Sequence, residues 1–168
     1  MDKLSKTYHT LINELGKLEG IQHCGALPTR RDDIRLPAIL LDLVELSPGQ
    51  SVGTEELVLI SHWEGRVLIP DTEPPHVMWQ IVQQCLSWLD QFEWKKIGVG
   101  DAQIKQAGPD HFSPDLQGHR CWLIEWTHQY RVGEDIWAQT GITPTIIDFG
   151  WRDETNRETI YIHDESAL

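Results

Sequence analysis

His119-Arg120-Cys121-Trp122-Leu123-Ile124-Glu125-Trp126-Thr127-His128-Gln129-Tyr130-Arg131 is the stretch on which the fold turns. Its even positions hold Trp122, Ile124, Trp126 and Tyr130, while charged or polar groups dominate the odd ones. Successive side chains of a strand point to opposite faces, so a period of two predicts a strand with one buried face. That face needs a layer to pack against. Upstream, Met78, Ile81, Val82, Cys85, Leu89 and Phe92 fall on one helical stripe, with Trp79 and Trp88 at its margins. The spacing predicts a helix over about residues 74–92, with Asp71-Thr72 as the candidate cap and Pro74-Pro75 in the first turn.

Leu57 to Ile69, within Glu55 to Pro70, reads either as one long strand or as a tight pair, with Gly65 marking a bulge or bend. Ala38 to Leu46 follows Pro37, is rich in aliphatics, and is closed by Ser47-Pro48-Gly49, which predicts another strand. Ala102 to Ile104 reads as a short strand before the turn-rich Gly108-Pro109-Asp110 and Ser113-Pro114-Asp115. At the N-terminus Leu4, Tyr8, Leu11, Ile12, Leu15 and Leu18 predict a helix over about residues 3–18, weakened and ended by Gly16 and Gly20. Gln22 to Leu36 lacks either period and reads as a loop. Beyond Gly133, short strands at Thr145 to Phe149 and Thr159 to His163 flank a charged turn, the pattern of a C-terminal arm or hairpin over 138–168. The order helix, strands, helix, strands predicts one α+β domain over residues 1–168, with its core at 36–137. Its sheet is expected to be mainly antiparallel or mixed, with two main helices packed on one face.

Charge narrows the function classes. With 26 acidic against 14 basic side chains the formal charge is −12, which opposes broad binding to a phosphate backbone. Lys95-Lys96 beside Trp94 is the one local cluster of cations and an aromatic ring, and Arg30-Arg31 is compensated at once by Asp32-Asp33. The three cysteines, Cys24, Cys85 and Cys121, form neither a disulfide framework nor a Cys-x-x-Cys motif, which implies reduced, intracellular folding. No signal-peptide core and no apolar window of about 18 residues is present, so neither secretion nor membrane spanning is expected.

The chemistry-bearing side chains read as structural. The eight histidines are scattered without zinc-site spacing, Cys85 sits on the apolar stripe and Cys121 lies mid-strand. Gly98-Val99-Gly100-Asp101 lacks the third glycine of a nucleotide fingerprint, and no nucleophile elbow or His-Glu-x-x-His is present. No enzyme activity, catalytic residue, metal or cofactor is therefore expected. The eight tryptophans are the compositional anomaly, and tryptophan is enriched where protein surfaces meet.

In layout over about residues 36–137 the chain resembles the small tail-completion and tail-terminator proteins of phages, prophages and pyocin tail clusters, including the Mu-like group. The likeness comprises the strand after Leu36-Pro37-Ala38, the region ending Val67-Leu68-Ile69, the helix with Trp79 and Leu89, and Trp122-Leu123-Ile124-Glu125-Trp126 running on to Arg131-Val132-Gly133-Glu134-Asp135-Ile136-Trp137. The resemblance implies a ring, expected to be a homohexamer, that assembles in the bacterial host cytoplasm and ends in the virion. Such a ring caps the tail tube or sheath, meets head-completion proteins, and lets DNA pass without specific binding. Arg30, Arg31, Asp32, Asp33, Trp137 and Trp151 are the expected contact residues, since they join anchoring groups to positions outside the predicted core or, for Trp137, at its very end. The alternative is an acidic immunity or inhibitor-type protein that masks a basic partner; a small hydrolase stands third.

Overall fold

The computed structural model describes residues 2–26, 34–51, 53, 55–110 and 119–133. Helix α1 (Lys3–Leu15) opens the chain. Asp2 caps it, accepting from the Ser5 backbone N–H at 2.8 Å and from the Ser5 hydroxyl at 2.7 Å. The first bond satisfies one orphan backbone donor of the first turn, and both hold the Asp2 carboxyl below its ordinary pKa. The helix ends at Leu15 and not at 18. Gly16 takes the C-cap, where a Cβ would meet the Ile12 carbonyl oxygen at 2.8 Å.

Strand β1 (His23–Ala26) lies inside the segment expected to be a loop. Its four residues are too few to show a period. It is drawn into the sheet by parallel pairing with Ala38, Ile39, Leu40 and Leu41 of β2 (Ala38–Pro48). Strand β3 (Leu57–Pro70) is a single continuous strand, paired antiparallel to β2 on one side and to β5 (His119–Val132) on the other. Strand β4 (Gln103–Pro109) runs antiparallel to the far side of β5 and is longer than Ala102 to Ile104. It absorbs the expected turn residues Gly108 and Pro109, since a sheet edge tolerates proline. The order β1-β2-β3-β5-β4 makes a mixed, mainly antiparallel sheet, and with its helices the fold is α+β.

Gly65 is neither bulge nor bend; register irregularities fall instead between Leu43 and Glu45 on β2 and between Ile104 and Gln106 on β4. Gly65 pairs with Leu41 and Ile124, and a Cβ there would sit 3.1 Å from Cζ3 and 3.3 Å from Cη2 of Trp126. The missing side chain is room for an indole. Gly65→Val is expected to overpack this site and destabilise the fold by about 1–3 kcal/mol in urea titration, with Gly65→Ala costing less.

Helix α2 (Pro75–Gln91) has Pro74 as N-cap without a side-chain cap bond, so Asp71 and Thr72 do not cap it. Pro75 at the first helical position has no N–H to orphan. Both helices lie on one face of the sheet. Leu11 and Leu15 of α1 and Met78, Ile81, Val82, Cys85 and Leu89 of α2 share a core with Ile39, Leu41, Trp63, Val67, Ile69, Ile124 and Trp126. Leu40, Leu68 and Cys121 make a smaller cluster with Ile34 and Leu36, at positions that alternate with the first set. The arm or hairpin expected over 138–168, with its strands Thr145 to Phe149 and Thr159 to His163, lies outside the described residues.

Candidate protein interface

Arg30, Arg31, Asp32, Asp33, Trp137 and Trp151 likewise lie outside the described residues. Within them, exposed apolar surface gathers where the helices stop. At 3.3–3.4 Å per residue the 14 residues of β3 and of β5 span about 46 Å, whereas the 13 residues of α1 cover about 20 Å and the 17 of α2 about 26 Å. The sheet outruns its helical layer, and alternation carries apolar side chains past the covered region.

Leu46, Leu57 and Val132 are 45%, 54% and 45% exposed. Register places Leu46 opposite Ser61, Leu59 opposite Tyr130 and Leu57 opposite Val132, so all share the face that bears Trp63 and Trp126. With the start of α1 they form a groove of about 430 Å³, walled by Leu4, Leu46, Leu59, Tyr130 and Val132. Tyr130 is buried, and its hydroxyl has no hydrogen-bond partner among the described residues. Asp2, Lys3 and Arg131 supply the rim. The Lys3 ammonium donates to the Arg131 carbonyl at 2.6 Å, and the Arg131 guanidinium lies 3.4 Å from Glu56. Among the described residues two cations thus stand with two carboxylates at and beside this rim, and their formal charges balance.

The outer side of α2 is a second neutral surface. From Pro75 to Leu89 this helix carries no Asp, Glu, Lys or Arg, in a chain that is 24% charged. Trp79, at the margin of the apolar stripe, is 57% exposed beside exposed Gln80 and Gln83. Loss of charge around an exposed aromatic ring is the composition of an interface centre. The other described tryptophans are partly or fully buried, with Trp63, Trp94 and Trp126 no more than 2% exposed.

Negative charge lies on the sheet face away from the helices. Asp42 pairs with Glu64 and Glu64 with Glu125, which sets three carboxylates in one row across β2, β3 and β5. Arg66 tempers the row, 2.6 Å from Glu64 and 3.1 Å from Asp110. Burial alone would lower the Arg66 pKa, but Glu64 and Asp110 hold it above its ordinary value. The cluster at Lys95-Lys96 offers no stacking platform. Trp94 is fully buried, Lys96 pairs with Glu93, and Lys95 lies 3.9 Å from Asp101.

Burial pushes the thiols of Cys24, Cys85 and Cys121 up to about 12, away from the thiolate a nucleophile requires. Ser47 Oγ lies 2.9 Å from His62 Nε2, a single contact on β2 and β3 away from the groove. His128 is the histidine whose setting the scattered spacing did not suggest. It is fully buried, accepts from the Trp126 indole at 3.1 Å, and its other ring nitrogen lies 3.0 Å from the Gly100 carbonyl oxygen. Among the described residues no three His, Cys, Asp or Glu side chains gather as a metal site needs, and no helix is long and apolar enough to cross a membrane. No protein-family model matches the chain, and no curated protein matches it.

Proposed function

We propose that this chain is a structural, ring-forming protein of the tail-terminator kind, which caps a phage or tailocin tail tube and joins it to the head. One observation carries the reading: a subunit of formal charge −12 presents two separate surfaces without net charge, one groove-shaped and one centred on an exposed indole. A closed ring is built from a heterologous contact, which requires two different patches on the same subunit. The resemblance of the sequence layout over about residues 36–137 to tail-terminator proteins is what suggests this place for the ring. The carboxylate row Asp42, Glu64 and Glu125 supports passage of DNA, because a negative lumen repels phosphates. In this reading the partners are further copies of the chain, the tail tube or sheath, and head-completion proteins. Assembly starts in the host cytoplasm and ends in the particle.

Light scattering over a range of protein concentration, followed by negative-stain imaging of the largest species, tests the ring. Closed particles of about six subunits are expected. A strict monomer at every concentration overturns the ring and leaves one-to-one masking of a basic partner as the surviving reading.

A further inference from the structure

We infer that the ring contact is made by Trp79 on α2 of one copy seated in the groove at the sheet end of the next copy. The inference rests on the ring reading and names its two surfaces. Two copies that each carry −12 repel over most of their area, so they approach only where charge is absent or balanced. Both conditions are met by described surfaces. On α2 no formal charge stands between Pro75 and Leu89. At the groove Lys3 and Arg131 balance Asp2 and Glu56.

Shape assigns one surface to the other. Trp79 projects as a knob, 57% exposed, from a helix whose neighbouring exposed groups are His76 and the amides of Gln80 and Gln83. The groove is a concavity of about 430 Å³ whose walls are Leu4, Leu46, Leu59, Tyr130 and Val132. A large aromatic side chain entering an apolar pocket with a polar rim is the usual form of an interface anchor. Knob and hole lie on different elements, so each copy has one of each to offer, and the contact propagates from copy to copy.

The test uses the full chain and sedimentation velocity. Trp79→Glu puts a charge on the knob, and Leu46→Glu puts one in the hole; near-ultraviolet circular dichroism and the thermal midpoint check that each variant folds. Each variant alone is expected to remain a single chain at concentrations where the wild type assembles. An equimolar mixture is expected to give a two-chain species and nothing larger, because Trp79→Glu still offers a groove and Leu46→Glu still offers an indole. Val132→Glu in place of Leu46→Glu is expected to behave identically. A mixture that stays monomeric, or either variant assembling as the wild type does, overturns the pairing while the ring reading stands. A wild type that never assembles overturns both.

Discussion

His128→Ala is expected to lower the free energy of unfolding by about 4 kcal/mol at pH 7, because it opens a cavity and strips the buried Trp126 indole and the half-buried Gly100 carbonyl of their partner. The ring is fully buried and its centroid lies 4.1 Å from that of Trp94. Indole N–H is donor-only, so the bond from Trp126 fixes Nε2 as the acceptor. The proton must then sit on Nδ1, from which it reaches the Gly100 carbonyl oxygen 3.0 Å away. A second proton has no place in this arrangement. Burial lowers the His128 pKa from 6.5 to about 4, against weaker raising effects of the Gly100 bond and the Asp101 charge.

The unfolded chain therefore binds a proton at His128 that the folded chain refuses between pH 6.5 and about 4. The stability contributed by the neutral ring is complete above pH 6.5 and is lost as the pH falls, by about 3 kcal/mol at pH 4. Urea titrations of wild type and His128→Gln across this range isolate the effect. The wild type is expected to lose stability faster on acidification, and parallel curves would show that His128 does not carry the sensitivity.

Trp94→Ala is expected to cost about 3–5 kcal/mol. The indole is fully buried and donates to the Leu89 carbonyl at 2.9 Å, inside the last turn of α2, where carbonyls lack helical partners. Phe92, Trp88 and His128 surround it, with centroids 4.8, 5.4 and 4.1 Å away. Trp94 thus ties the end of α2 to the β5 histidine. A shift in the urea midpoint together with a lost near-ultraviolet signal measures the effect. Trp94→Phe is expected to recover much of the packing but not the bond to Leu89.

These two sites show where local pattern reading stops. The period of two in β5 marked Trp122, Ile124, Trp126 and Tyr130, and His128 occupies the same phase but is polar, so the pattern passes over it. Only the approach of Gly100, whose N–H donates to the Gln129 carbonyl at 2.7 Å, makes this position a satisfied polar core. Trp94 beside Lys95-Lys96 stands in sequence as an aromatic ring next to two cations and is core in space, because the short turn Trp94–Ile97 folds the indole back under α2.

The interface follows the same division. Trp79 at the stripe margin and the absence of charge along α2 are visible in the residues themselves. The groove is not, because whether Leu46, Leu57 and Val132 are covered depends on how far a helix reaches across a sheet that it meets mainly through packing.

Side-chain period and composition were enough for the α+β class, both helices, strands β2 and β5 and the acidic balance, because these are local properties of the chain. Tertiary structure alone decided that β3 is one strand and that Gly65 makes room for Trp126. It also decided that His23–Ala26 joins the sheet and that an apolar groove stands open at its end. Each of these depends on partners distant in the chain, through hydrogen bonds and contacts that no local pattern encodes.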